Sequence, residues 1–271
     1  MKDSSYLIEF ERAVSLGGYR WIDARADGNK DHDRWLVRNI YDHSRPLPHI
    51  ERDLFLMFAE LPLDDESALA EFAGREGRLG SGELVHPVDD DQEFVGHGES
   101  LKWWLGEIRA MRTMVSLAAA IRGGDSKALT AGLSIEPVTH RVGRENHTVW
   151  DVRYDAGFGS TPRIRVDEQI KKPKAGRLVI QSTVRKKLQE TTQLDVVLEG
   201  RTLVAKVRVQ TLLGRMWLQF LDNVTDGSVR TCSVCRRPFV SKRPNNTACG
   251  RNCVQRAYDQ RQAKAIAKKG R

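Results

Sequence analysis

No stretch of this chain approaches the ~20 consecutive apolar residues that span a bilayer. The longest apolar run, Leu54-Phe-Leu-Met-Phe-Ala59, is six residues, which sets a membrane-spanning class aside. Cysteine is scarce: the 271 residues hold four, all between Cys232 and Cys253. The opening Met1-Lys-Asp-Ser-Ser lacks the basic and apolar regions of a secretory signal. The expectation is a cytoplasmic protein with reduced thiols, where cysteine pairs serve metals rather than disulfides.

Catalytic signatures are missing as well. There is no phosphate-cradling glycine motif and no Gly-x-Ser-x-Gly elbow. The histidines, His32, His43, His49, His86, His97, His140 and His147, are scattered. Short groupings such as His43 with His49, or Asp31-His32-Asp33, read as surface or satisfied side chains. Asp89-Asp90-Asp91 reads as a solvated loop. An enzyme is therefore not expected, although a nuclease on a zinc scaffold is the form it would take.

What is present fits a soluble globular protein, with 40% hydrophobic and 30% charged residues. The length suits one large domain or two smaller ones. The expected class is α+β: a mainly helical body with short β-hairpins over 1–228, then a four-cysteine module over 229–271.

In the body, Tyr6–Phe10 and Tyr19–Ile22 read as paired strands around the Gly17-Gly18 turn. Asp27-Gly-Asn29 reads as a polar loop, and Trp35, Leu36, Asn39 and Ile40 suggest a short helix. Arg45-Pro-Leu-Pro48 reads as a linker. Ile50–Glu60 has helical spacing, and Asp64-Asp-Glu66 supplies an acidic first turn to a second helix over Ser67–Gly74. Leu84–Glu93 reads as an acidic loop. Ser100–Arg122 is the clearest helix: Leu101, Trp104, Leu105, Ile108, Met111, Val115, Ala118 and Ile121 form its apolar face, while Lys102, Glu107 and Arg112 form a polar stripe.

Ser134–Val138 and Val149–Tyr154 then suggest a hairpin around Gly143-Arg-Glu-Asn146. Gly157-Phe-Gly159 and Pro162 are breakers. Arg163–Lys187 carries nine bases against two acids, and reads as an exposed loop leading to a helix over about Leu178–Glu190. Leu194–Leu198 and Leu203–Val209 suggest a second hairpin. A helix with Leu212, Leu213, Met216, Trp217, Phe220 and Leu221 on its apolar face follows. The module starts directly after it, so this helix is expected to position the module.

The module reads Cys232-x-x-Cys235, thirteen residues, then Cys249-x3-Cys253. Two close pairs across a short polar loop are the pattern of a four-thiolate zinc site. The first pair suits a tight turn whose amides point at sulfur. Phe239 can cover the apolar side, Ser241–Asn246 is a loop by composition, and good helix formers follow Cys253. Val254 and Tyr258 form an apolar pair expected to face the zinc lobe. The geometry expected is treble-clef-like or a zinc ribbon. One Zn²⁺ held by Cys232, Cys235, Cys249 and Cys253 would be structural, because four thiolates leave no position for an activated water.

Acid is nearly absent from this module. Residues 229–271 hold twelve Lys or Arg against Asp259, a charge of +11, whereas the whole chain carries only +8 and the other 228 residues therefore −3. Such asymmetry points to a polyanionic partner. The candidate contacts are Arg236, Arg237, Lys242, Arg243, Arg251, Arg256, Arg261, Lys264 and Lys268. Arg261, Lys264 and Lys268 share one face of the terminal helix, suited to tracking phosphates.

Three stretches carry a family resemblance: Leu212-Leu-Gly-Arg-Met-Trp-Leu-Gln-Phe220, Cys232-Ser-Val-Cys-Arg-Arg-Pro-Phe239 and Cys249-Gly-Arg-Asn-Cys-Val-Gln-Arg-Ala-Tyr258. Together they look like the bacterial CGNR-type zinc-finger proteins. Leu54–Ala59 and Leu69–Leu79 resemble the helical lead-in of the same architecture. The literal Cys-Gly-Asn-Arg string is replaced by Cys249-Gly-Arg-Asn-Cys253, and 133–170 lies outside the resemblance. It implies a helical N-terminal domain, a C-terminal finger and a DNA-binding, stress-linked transcription regulator. The leading expectation is thus a zinc-dependent nucleic-acid-binding protein. The alternative is an adaptor that uses the finger to dock a protein.

Overall fold

The structure, a computed structural model, describes residues 8–9, 13–15, 18–26, 33–38, 44–46, 51, 53–80, 82–87, 96–142, 145–154, 163–199, 202–243 and 245–269. In chain order the elements begin with β1 (Ile8–Glu9), β2 (Ala13–Ser15), β3 (Tyr19–Ala26), β4 (Asp33–Arg38) and β5 (Ser44–Pro46). Next come α1 (Leu54–Glu60), α2 (Glu66–Glu76), β6 (Glu83–Pro87), β7 (Gly96–Ser100), α3 (Leu101–Gly123) and α4 (Ser126–Gly132). The second half holds β8 (Leu133–Val142), β9 (Glu145–Tyr154), β10 (Ile164–Val166), α5 (Lys172–Thr191), β11 (Thr192–Glu199) and β12 (Thr202–Val209). It closes with α6 (Leu212–Thr225), β13 (Val229–Thr231), β14 (Pro238–Val240) and α7 (Arg251–Lys269). The mixture of helix and sheet agrees with the expected class.

Two compact units divide the chain: 1–111 with 185–219, and 112–184 with 220–271. The four-cysteine segment belongs to the second, together with 112–184.

In the first unit, β3, β4, β7 and β6 close into a small barrel. Ala24, Ala26, Trp35, Val37 and Val85 fill it, with Ile22 packed alongside. Gly98 on β7 is required by this closure. A Cβ there would lie 3.0 Å from Val85 and 3.1 Å from Val37. This barrel corrects three expectations. Residues around Trp35 and Leu36 form a strand, not a helix, because β4 pairs with β3 on one side and β7 on the other and is buried on both faces. A run buried that way loses the alternation that marks a strand. Leu84 belongs to β6 rather than a loop. Tyr19–Ile22 pairs with β4, whereas Ile8–Glu9 joins β12 in parallel, beside β11.

Helices α1 and α2 pack an aromatic cluster with α3. Phe58, Phe72 and Trp104 have ring centroids 5.6–6.3 Å apart, and Trp21 meets Trp104 edge-on at 6.4 Å. Such side chains each contribute about 1.5–3 kcal/mol by burial. Asp65 caps α2 by accepting from the Ala68 N–H at 3.0 Å. Gly77, at φ 95°, ends it by donating to the Ala73 carbonyl at 2.7 Å.

In the second unit β8 and β9 form the expected hairpin and β10 extends it. The strand β10 and the short helix α4 were not anticipated, and α5 starts at Lys172, earlier than expected. Asp125 caps α4 through the N–H groups of Lys127 and Ala128, both at 3.1 Å. Asp27–Asn29, the His43–His49 pair, Asp89–Asp91, Gly157–Gly159 and Pro162 lie wholly or partly outside the described residues. No described helix is long and apolar enough to cross a membrane.

Candidate metal centre and basic surface

The centre is built on a hairpin and a helix. Strands β13 and β14 pair antiparallel, Arg230 opposite Phe239 and Thr231 opposite Pro238. Cys232 to Arg237 turn the corner between them: the Cys232 N–H donates to the Arg237 carbonyl at 2.9 Å, and the Arg236 N–H to the Cys232 carbonyl at 3.0 Å. Arg236 takes φ 64° to close this turn, a left-handed conformation unfavourable to a residue with a Cβ. After β14 the loop returns, and the Ala248 N–H donates to Asn246 Oδ1 at 3.2 Å. Cys249 precedes α7 and Cys253 sits in its first turn.

The hairpin is fixed to the end of α6. The Ser228 N–H donates to the Asn223 carbonyl and the Ser241 N–H to the Ser228 carbonyl, both at 2.9 Å. Ser228 and Ser241 are buried, so this link is shielded from water. The short junction after α6 therefore does position the module.

The four cysteine sulfurs all lie within 4.8 Å of one another. Cys235–Cys249 and Cys249–Cys253 are each separated by 3.5 Å. Four thiolates ~2.3 Å from a tetrahedral ion would stand ~3.8 Å apart. The cysteines are thus positioned to bind a metal ion, and all four are free thiols. Cys232, Phe239 and Ala248 form a small core with Val234, Cys235 and Cys253 against it, so Phe239 covers the sulfurs as expected. Among the described residues this is the one group of three or more Cys, His, Asp or Glu arranged for an ion.

Burial opposes ionisation of Cys232, but the N–H groups of Cys235, Val234 and Cys249 outweigh it and bring this thiol down to about 6. Cys249 goes the other way. Desolvation, then its hydrogen bonds with Cys235, Cys253 and Cys232, push it up to about 12. Crowded sulfurs cannot all ionise beside one another, and a divalent cation is the group that allows it.

The side chains of Arg236, Arg237, Lys242, Arg243, Arg251, Arg256 and Arg261 are exposed. None pairs with an acid among the described residues; Arg261 Nε donates to the Ala257 carbonyl at 3.2 Å. Lys264 and Lys268 lie on α7, with side chains outside the described set. Val254 and Tyr258 correct an expectation: each is 51% exposed rather than packed on the zinc lobe. Cys253 and Ala257 occupy the half-buried face of α7, and one residue further along a helix is ~100° round it.

Three charged sites away from the sulfurs were not legible beforehand. On β9 Asp151 is fully buried beneath Arg153, 3.1 Å away, Arg163 in direct contact, and Arg165 at 3.7 Å. The Arg163 hydrogen bond, against the opposing effect of burial and with help from Arg153, holds its carboxyl down at about 2. In the first unit, Glu107 is buried on α3 and pairs with Lys187, which removes it from the polar stripe. Glu99 is 2% exposed and accepts from Leu79 N–H at 3.1 Å, Gly80 N–H at 2.5 Å and Trp104 Nε1 at 2.9 Å. Burial lifts its carboxyl to about 7 despite these donors. His97 and His147, whose side chains are described, are exposed and lie apart from the sulfurs.

No family model, curated protein or solved structure matches this chain.

Proposed function

We propose that Cys232, Cys235, Cys249 and Cys253 hold one structural Zn²⁺ in a treble-clef-like module, and that this module binds nucleic acid, DNA first, in a cytoplasmic bacterial transcription regulator of the CGNR-like kind. Thiolate ligation favours Zn²⁺ in a tetrahedral site. A knuckle hairpin followed directly by a ligand-bearing helix favours the treble clef over a ribbon. The observation that carries the reading is the set of exposed cations on this braced scaffold, Arg236 to Arg261, without acid partners among the described residues. Cations held at fixed positions bind phosphates and release counterions. With four thiolates on the ion there is no position for catalytic water, so the metal's role is architectural.

Mobility-shift assays of the zinc-loaded full chain with duplex and single-stranded DNA test this. Binding should be lost in Cys249→Ser together with zinc. Absence of binding to any nucleic acid at low salt would contradict it.

A second reading rests on Val254 and Tyr258, which leave an apolar i, i+4 pair exposed on α7. Such a pair suits a protein partner. Nuclease-resistant, salt-insensitive capture of a protein, lost in Tyr258→Ala, would favour this adaptor role.

A further inference from the structure

The first unit holds a cavity of about 340 Å³ beside its barrel, lined among others by Trp35, Trp103, Glu83, Glu99, Glu107 and Glu190. The volume is in the range of small-molecule sites, and barrel mouths are a common place for them. Its polar lining is one-sided: those four acids line it, and no Lys, Arg or His among the described residues does. The cations that meet this wall are Lys187, paired with Glu107 and 3.9 Å from Glu190, Lys186, 4.0 Å from Glu190, and Arg78, whose Nη1 donates to the His97 carbonyl. These cations stand outside the lining, so the described charged groups that face the cavity are acids.

The four acids differ in what they have left to offer. Glu99 already accepts three hydrogen bonds. Glu83 and Glu190 are exposed and stay hydrated at the rim. Glu107 is 5% exposed; one oxygen meets Lys187, and Oε2 has no hydrogen-bond partner among the described residues. A buried carboxylate oxygen left unpaired costs free energy that a donor would recover. Trp103, 37% exposed, brings an aromatic surface to the same cavity, with its ring against Gly80. Indole is the best aromatic partner for a cation. Trp35 adds a second indole, its Nε1 buried and also without a partner among the described residues.

We infer that this cavity is a binding site for a small organic cation, an amine that donates to Glu107 Oε2 and lays its apolar body against the indoles. Anions are refused by the carboxylates. Neutral analogues lack the charge that Glu107 and Trp103 recognise.

Calorimetric titration of the full chain with benzylamine, benzyl alcohol and benzoate tests this. Benzylamine should bind saturably, benzyl alcohol about ten-fold more weakly, and benzoate not detectably. Glu107→Gln should weaken benzylamine about ten-fold, with circular dichroism confirming the fold. Because Glu107 also pairs with Lys187, Trp103→Ala gives an independent arm at a partly exposed position, with an expected loss of about five-fold. The inference is overturned if benzylamine does not bind, if benzoate binds as well as benzylamine, or if both folded variants keep full affinity.

Discussion

The backbone N–H of Ser233 donates to the carbonyl of Thr247 at 2.8 Å. This bond straps the turn carrying Cys232 and Cys235 to the loop that delivers Cys249. Few apolar side chains support the arrangement, since the core around the sulfurs is small. A metal held by the four cysteines, as proposed, would supply folding free energy to the module.

Metal removal should therefore unfold the module. One zinc per chain should be released on thiol titration, and chelation should expose the amides of Cys232–Cys253 to hydrogen exchange. Protection on Phe58, Phe72 and Trp104, in the other unit, should be retained. Unchanged protection at Ser233 after chelation would show that the strap needs no metal.

Arg236 is held at φ 64°. Replacement by Gly relieves a left-handed conformation and should stabilise the zinc-loaded module by about 1 kcal/mol. Zinc stoichiometry should not change. If Arg236 also contacts a phosphate, the slope of log affinity against log salt should fall by about one.

Asp151 should confer an acid-sensitive stability on the β8–β10 sheet. Its carboxyl is held at about 2, below the ordinary 3.8, by Arg163 above all. The folded state therefore favours the charged form. That contribution is complete above the ordinary value and is lost as pH falls from there through about 2. Asp151→Asn should remove this slope and lower Tm at neutral pH by about 5 °C, because three arginines lose their shared acid. Urea unfolding across the acid range checks the sign.

Glu99 should act in the opposite sense. Burial raises it from 4.5 to about 7, so the folded chain keeps a proton that the unfolded chain gives up. Stability should fall as pH rises through that window, by about 3 kcal/mol. Glu99→Gln should flatten the dependence. An unchanged slope in the variant would assign it to another group.

The elements legible in the sequence are those whose pattern is long. Ser100–Arg122 sustains helical spacing over six turns, and α6 concentrates Leu212, Leu213, Met216, Trp217 and Phe220 on one side. The hairpins at Leu133–Tyr154 and Thr192–Val209 follow from β-rich runs around polar turns. Short elements are hidden where tertiary pairing decides: Trp35–Val37 is apolar throughout because β4 lies between two neighbours. In the candidate site, four cysteines at knuckle spacing reveal their own assembly. The outward turn of Tyr258 does not show, because it depends on Cys253 setting the inner face of α7. Glu107 could not be separated from Lys102 by spacing alone. Its partner Lys187 is 80 residues away.

On the proposed function, the cations around the sulfur cluster bind nucleic-acid phosphates. Fluorescence anisotropy of a labelled DNA duplex with the zinc-loaded full chain, titrated across salt concentrations, measures this. Each phosphate contact contributes about −0.9 to the slope of log affinity against log salt, so replacing Arg251, Arg256 and Arg261 by Ala should make the slope about three contacts shallower. Zinc content should be unaffected. A chain that fails to bind at low salt, or a triple variant that binds with the wild-type slope, would show that these cations do not bind phosphates.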